Sequence, residues 1–487
     1  MASDTVVLRH PRDVVALVNS GRISGGNSGL IIWIALGGIL MDAYDFTSLA
    51  FGLPYFSAQF HLTSLTSGIV NGAVLIGAMA GSVFGGYLMD RIGRYRIFTT
   101  NLILLVVATV VAALAPAMWV LLIARFLMGI GLGIEFPVAL SFIAEYSAQQ
   151  AKGRALNKYP LVWYSSVAGT YAVVVVTYFI FNAAGWNQDN MWRVAVAFGI
   201  VPEILLMLLR RRYMSESPAW IAMNADLNAA AAVLRRAYGV DAQVAPDAVL
   251  TVERPRVGFS GMRDVWRPKY RVRTIQASLV SLTQGMEYYA VGYYIGAITL
   301  SLVGKSTLTG VVGPLIFNVA FGVTGGILSV ALVQRTGMRR LAVLGFIGTT
   351  STLVVIGLIG SGATGWVVWF GAFMLGVFIF SHAFGPGTQG QTFATMSYPA
   401  SLRGVGIGTV QIFNRIGGTV GLVLFPILTS EFGLRALLYL AIAPFVGLVT
   451  LLVIRWDPTH VDVDAEDYQD SDGSDAATSR TGAQAGS

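Results

Sequence analysis

The sequence predicts an all-α membrane protein of twelve transmembrane helices in two six-helix bundles, and three observations carry that expectation. Only 12% of the 487 residues are charged, 55% are hydrophobic, and the mean hydropathy is +0.67. A soluble domain carries about twice that charge. Apolar stretches long enough to cross a bilayer recur along the chain, and a lone helix satisfies its own backbone inside lipid. Lys and Arg gather in alternate connections between those stretches, the asymmetry that orients a membrane protein.

In chain order, residues 1–29 hold Arg9, Arg12 and Arg22 but no apolar run long enough for a signal peptide, and are expected to form a cytoplasmic leader. Spans are expected at 30–55, 67–89, 97–115, 118–146, 158–183 and 191–209, then at 274–302, 309–332, 341–360, 364–395, 404–429 and 434–455. The loop 210–273 separates the bundles 30–209 and 274–455. It opens with Arg210 to Arg212, closes with Arg267, Lys269, Arg271 and Arg273, and is too small for an enzyme domain; short amphipathic helices, including 219–238, are the most expected of it. The tail 456–487 packs eight acidic residues before Ala476 and is expected to be disordered.

Charge sets the orientation. Arg91, Arg94 and Arg96 follow span two, Lys152 and Arg154 follow span four, and Arg335, Arg339 and Arg340 follow span eight. The alternate turns carry only Lys305 and Arg435, so both termini are expected in the cytoplasm of a plasma-membrane protein. Because the basic residues sit between spans, the net charge of +7 implies no nucleic-acid partner. The chain has no cysteine, which excludes disulfides and thiolate metal sites, and its four histidines are unclustered. No Walker loop is present, so ATP is not the energy source. No cofactor is expected.

Span four concentrates the chemistry. Arg125 and Glu135 lie inside it, and a charge at a helix centre costs roughly 2.5 to 3.5 kcal/mol toward lipid, so both need partners or water. Gly129, Gly131 and Gly133 between them admit a close backbone or a solute, and a bend is expected at Pro137. In span one, Asp42 and Asp45 are three residues apart and share a helix face. Asp45 and Arg125 both lie about 11 to 14 Å from the outer surface at 1.5 Å per residue, so they are expected to meet. A carboxylate alone in low dielectric holds its proton and releases it beside a guanidinium. Movement of Asp45 relative to Arg125 would then load and unload a proton, worth about 2.3 kcal/mol per 100 mV.

The halves repeat each other weakly. Asp90-Arg91-Ile92-Gly93-Arg94 is echoed by Gln334-Arg335-Thr336-Gly337-Met338-Arg339, and residues 146–154 are echoed by 398–404. Parallel six-helix repeats with a site between them are one way to build an alternating-access carrier. Residues 86–96, with Asp90-Arg91-Ile92-Gly93-Arg94 at their centre, resemble the signature loop of the major facilitator superfamily. Arg125-x3-Gly129-x-Gly131-x-Gly133 resembles its fourth-helix motif. Ser215-Glu216-Ser217-Pro218-Ala219-Trp220 is similar to an element of sugar porters and organic-ion carriers. Gly133-Ile134-Glu135-Phe136-Pro137 resembles a motif of organic-ion carriers and phosphate symporters, and Asp42-Ala43-Tyr44-Asp45 is close to the first helix of the latter. The chain departs from sugar porters in span seven, where paired glutamines give way to Thr283-Gln284-Gly285-Met286-Glu287-Tyr288-Tyr289. It departs again at Asp457-Pro458-Thr459, where their closing motif is shortened.

The expected proton-coupling set is Asp42, Asp45, Arg125 and Glu135, and the resemblance implies Asp45 and Arg125 as the pair. Asp42 is a second proton site, a substrate contact or a solvated vestibule residue. Glu135 is a further protonatable group, a binder of a cationic or hydroxylated solute, or a static partner of Lys158 or a helix end. Asp90, Arg91, Arg94, Glu145 and Arg154 are implied as a cytoplasmic gate. Candidate substrate contacts are Trp163 and Tyr164 of span five and Gln284, Glu287 and Tyr288 of span seven, with Gly292 and Tyr294 a turn further on. Span ten adds Gln389 and Gln391 beside a moving Gly385-Pro386-Gly387 break, and span eleven adds Asn414 and Arg415. His382 is taken as a packing residue. Arg415 and Lys158 favour an anion, whereas Glu135 and Glu287 favour a neutral or cationic solute. The resulting expectation is a monomeric proton symporter importing a small polar solute such as a sugar, polyol or organic acid. An exporter of drugs or metabolites, a phosphate symporter and a sensor with a carrier fold are the alternatives.

Overall fold

The computed structural model describes residues 6–23, 25–224, 226–250, 260–304, 307–360, 364–399 and 401–466, without the side chains of residues 64, 65, 90, 260, 261 and 307. Spans one to five are Ser28–Gln59, Ser64–Ile92, Arg94–Ala113, Met118–Glu145 and Lys158–Ala184. Span six is Met191–Phe198 continued by Ile200–Tyr213, and span seven is Pro268–Val291 continued by Ile295–Val303. Span eight runs through Thr307–Phe317, the π-helical stretch Asn318–Val323 and Thr324–Thr336. Span nine is Met338–Ile359, span ten Trp366–Phe384 and Pro386–Ser397, span eleven Arg403–Phe432, and span twelve Ala436–Leu440 and Ile442–Val453.

By length and hydropathy alone, ten helical stretches among the described residues can cross a membrane. One of them, Arg403–Val453, holds spans eleven and twelve, parted by a turn in which Gly433 takes φ 57°. Span seven is absent from the ten because its polar Ser278, Ser281, Thr283, Gln284 and Glu287 are buried within the protein instead of facing lipid. Large apolar side chains face outward instead, Leu358 and Val453 among them. In span ten the Gly385-Pro386 step breaks the helix as expected, with Gly385 at φ −124°, ψ −93°.

The span-four glycines seat neighbouring helices. A Cβ on Gly129 or Gly133 would lie 2.1 Å from the Val74 or Ala78 carbonyl of span two, and one on Gly131 would meet Leu105 of span three. They therefore hold backbone, not solute. The same device joins the two halves. A Cβ on Gly408 of span eleven would stand 2.7 Å from the Ser82 carbonyl of span two, and one on Gly326 of span eight 2.8 Å from Leu161 Cα of span five. These two seams frame the space between the bundles.

The face carrying the chain ends is more ordered than the sequence suggested. Residues 6–8 form β1 (Val6–Leu8), which pairs in parallel with β2 (Ala242–Val244) of the inter-bundle loop. The helix Pro11–Ser20 follows, its start capped by His10 and Asp13, whose carboxylate accepts from the Arg9 and His10 amides at 2.8 and 2.9 Å. The leader is thus structured, and the loop holds a strand besides the helices Pro218–Asn224, Leu227–Tyr238 and Ser260–Asp264. The tail expectation is corrected as well: residues 457–466 pack against the bundles because Asp464 is buried between cations, whereas 467–487 lie outside the described residues.

Candidate functional site

A cavity of about 370 Å³ of unfilled space lies between the halves. Phe136, Tyr159, Trp163 and Tyr164 form its wall on the N-terminal half, and Gln284, Tyr288, Tyr289, His382, Gln391, Asn414 and Arg415 form the opposite wall. Hydrogen bonds join the walls. The Trp163 indole donates to the Tyr288 hydroxyl at 2.5 Å, and the Tyr164 hydroxyl lies 2.6 Å from His382 Nδ1. Asn414 donates to Gln284 Oε1 at 2.7 Å, which leaves Gln284 Nε2 to donate to His382 Nε2 at 3.1 Å. A neutral imidazole then carries its proton on Nδ1, toward Tyr164. The Tyr288 ring stacks on His382 with centroids 4.6 Å apart. A second space, bounded by Phe46, Thr47, Trp163, Tyr288 and Tyr293, lies beyond the Trp163 to Tyr288 bond.

Several expected site residues are therefore together: Trp163, Tyr164, Gln284, Tyr288, Gln391, Asn414 and Arg415 all line this cavity. Others are not. Glu287 is wholly buried away from it, and neither of its oxygens has a hydrogen-bond partner. Gln389 accepts from Thr392 at 2.7 Å outside the wall, and Tyr294 donates to the Leu422 carbonyl at 3.2 Å. Each sits on the helix face turned toward its own half.

The Asp45 to Arg125 pairing is not formed. Asp45 faces span six, with its carboxyl within hydrogen-bonding reach of Glu203, which accepts from Thr109 at 3.1 Å. Arg125 instead donates to the Asn71 carbonyl and the Tyr293 hydroxyl, both at 3.4 Å, and Tyr293 donates to Asn71 Oδ1 at 2.9 Å. Counting residues along the helices does not give the rotation of either group about its helix axis. Glu203 is the carboxylate that the sequence reading missed; it is the sole acid of span six, immediately after Pro202. Asp42 is buried and neither of its oxygens has a hydrogen-bond partner.

Glu135 is neither free nor paired with Lys158, whose ammonium lies 4.9 Å from the Trp33 ring. It forms a fully buried ion pair with Arg210 and accepts from Asn101 at 3.0 Å, while Arg210 also donates to the Phe98 carbonyl at 2.7 Å. Both of its oxygens are thus engaged by Arg210 and Asn101, and it lines neither of the two cavities described above. Arg210 belongs to the last turns of span six, not to the loop as expected, and that placement brings it to Glu135.

On the face of the chain ends, Arg94 pairs with Glu145 at 3.0 Å. Glu216 accepts from the Arg94 and Tyr95 amides at 2.9 and 3.1 Å, capping the start of span three. Arg91 is exposed and bonded to the Tyr87 hydroxyl at 2.7 Å, and Arg154 is exposed too, so neither joins the closure. The Asp90 side chain lies outside the described residues. Two residues before Arg154, Lys152 is buried, and its ammonium lies 2.6 Å from Asp464. Asp464 also pairs with Arg403 of the other half and is 3.4 Å from the Asn19 amide. Burial by itself would raise the Asp464 carboxyl; Arg403 and Lys152 overcome it and hold that carboxyl well below the usual range.

The family model described as "Sugar (and other) transporter" matches residues 30–466. The inner membrane metabolite transport protein YgcS of Escherichia coli (strain K12) is 25% identical over 426 residues, 87% of this chain and 90% of that one. The niacin transporter NiaP of Acinetobacter baylyi is 24% identical over 433 residues, 88% of this chain and 94% of that one. The major myo-inositol transporter IolT of Bacillus subtilis is 26% identical over 441 residues, 87% and 90%. Among solved structures, the proton:xylose symporter XylE bound to 6-bromo-6-deoxy-D-glucose superposes with TM-score 0.73 at 17% identity, covering 89% of this chain and 97% of that one.

Proposed function

The chain belongs to the sugar (and other) transporter family and has the major facilitator fold, and from that premise we propose that it imports a small organic solute together with a proton. It is a multi-pass membrane transporter, not an enzyme. The observation that carries the proton-coupled reading is the buried contact between Asp45 and Glu203 on spans one and six, at the edge of the half that must rock. A shared proton there holds the two helices together. Release of that proton leaves adjacent charges that repel, so spans one and six are pushed apart when the proton leaves. The solute occupies the central cavity, where breaking the Trp163 to Tyr288 and Tyr164 to His382 bonds parts the walls.

The coupling ion is the proton and no other cofactor takes part. The protein works as a monomer in the inner membrane with both termini in the cytoplasm; the orientation rests on the Lys and Arg distribution and the membrane on its bacterial relatives. The test is purified protein in liposomes loaded with a pH-sensitive dye and exposed to glucose, myo-inositol or benzoate. At least one of these is expected to acidify the lumen, and Asp45→Asn and Glu203→Gln should each abolish the signal. Acidification by none of them, or undiminished acidification by both variants, would refute the reading.

A further inference from the structure

Among the described buried arginines, Arg415 and Arg125 have no anion, and only Arg415 lines the central cavity. Arg94, Arg210 and Arg403 each pair with a carboxylate. Arg125, also without one, is held between Asn71 and Tyr293 away from the central cavity. Arg415 is 3% exposed, lines the cavity and has no described carboxylate within 4 Å. One of its nitrogens donates to the Tyr289 hydroxyl, and its Nε has no partner. A guanidinium has five N–H donors, and leaving them buried and unanswered is costly.

The geometry points to a ring-bearing organic monoanion as the solute, its carboxylate held by Arg415 and its ring enclosed by the aromatic walls. This rests on the transport reading above and names the class of cargo for the same cavity. The ring follows from the walls: Phe136, Tyr159, Trp163, Tyr164, Tyr288 and Tyr289 line the cavity with Arg415, and the guanidinium lies 5.9 Å from the Phe136 centroid. Tilted and perpendicular pairs such as Trp163 with Tyr288, centroids 5.9 Å apart at 69°, leave faces and edges for a further ring. A carboxylate matches the fork of a guanidinium.

Single charge follows from the electrostatics. Asp42 is within electrostatic reach of Arg415 but makes no contact with it, and Glu135 is neutralised by Arg210. Arg415 is thus the one arginine in the wall, too little for a phosphate dianion. A polyhydroxylated solute is disfavoured because the wall amides are already committed to one another. Gln391 bonds Gln411 at 2.7 Å, and Gln284 lies between Asn414 and His382.

The experiment measures thermal shift and tryptophan fluorescence of the purified full chain with benzoate, its neutral isostere benzamide, acetate, myo-inositol and inorganic phosphate. Benzoate is expected to bind at least about 30-fold more tightly than benzamide, since a fully desolvated ion pair is lost with the charge. Acetate, myo-inositol and phosphate should leave both signals unchanged. Arg415→Gln should lower benzoate affinity to the benzamide level, while Arg415→Lys, which keeps the charge, should retain part of the preference. Binding of myo-inositol or phosphate in place of benzoate, no response to any probe, or undiminished benzoate binding by monodisperse Arg415→Gln would overturn the assignment. If benzoate binds as expected but the liposomes show no coupled proton movement with it, the symport reading fails and the cargo class stands. Proton movement driven only by a sugar or polyol sinks the cargo class alone.

Discussion

Asp464→Asn tests whether the tail is a lock. Asp464 is a shared anion between Lys152 on the N-terminal half and Arg403 on the C-terminal half, with all three side chains at most 4% exposed. Removing one partner of a buried ion pair costs about 3 to 5 kcal/mol. Asparagine keeps the shape but leaves two cations facing each other across the closure. Taking about 3 kcal/mol at 1.4 kcal/mol per decade, the equilibrium between closed and open forms of that face moves roughly 100-fold toward open. The chain has no cysteine, so Arg91→Cys and Arg340→Cys can be spin-labelled without background; both positions are exposed, on opposite halves. The distance distribution between the labels should shift to longer separations in Asp464→Asn. Because the folded carboxyl lies below its usual range, the contact contributes fully above about pH 3.9 and is lost only as pH falls below that value. The parent distribution should therefore be constant from about pH 8 to 5. An unchanged distribution in Asp464→Asn, or a shift of the parent between neutral and pH 5, would refute the reasoning.

Other perturbations have equally definite outcomes. Glu135→Gln should destabilise by about 3 kcal/mol or more, seen as a lower midpoint in thermal unfolding, because Arg210 is left charged and buried. Replacing the pair together by Glu135→Leu and Arg210→Met should recover most of that loss. Asp45→Asn should abolish uphill uptake while equilibrium exchange of labelled against unlabelled solute continues, which transport assays in the two modes separate. Gly408→Leu should block transport in liposomes with little effect on ligand binding, since a side chain there collides with the Ser82 carbonyl at the seam. Glu287→Gln should leave ligand affinity within about twofold, as that residue lines neither cavity.

Much of the architecture was legible because it depends on one-dimensional quantities: span length, mean hydropathy and the Gly-Pro step in span ten. The cavity wall was also largely legible, since aromatic and amide residues deep in helices have few alternatives. Pairings were not. Asp45 and Arg125 were expected to meet from their residue counts, yet the azimuth of Asp45 turns it to Glu203, and no counting along a helix supplies that angle. Glu135 looked unsatisfied because Arg210 sits at a helix end that basic patterning assigned to the loop. His382 was taken for packing, and its place between Tyr164 and Gln284 appears only when spans five, seven and ten converge. The tail misled for a different reason. Its acidity signals disorder on average, but the two buried cations that order Asp464 lie 312 and 61 residues away in sequence.

Span seven carries a consequence for how the molecule is made. Its first helix, Pro268–Val291, buries Ser281, Gln284 and Glu287 in the finished protein and falls outside the stretches apolar enough to cross on their own. As it leaves the ribosome it has no neighbours to shield those groups, and the insertion machinery has little reason to release it into lipid. Its partner surface on span eleven, where Gly417 and Gly421 admit the Leu282 and Met286 carbonyls, is synthesised more than a hundred residues later. The second bundle therefore matures as a unit, with an early, reluctant helix waiting for a late one.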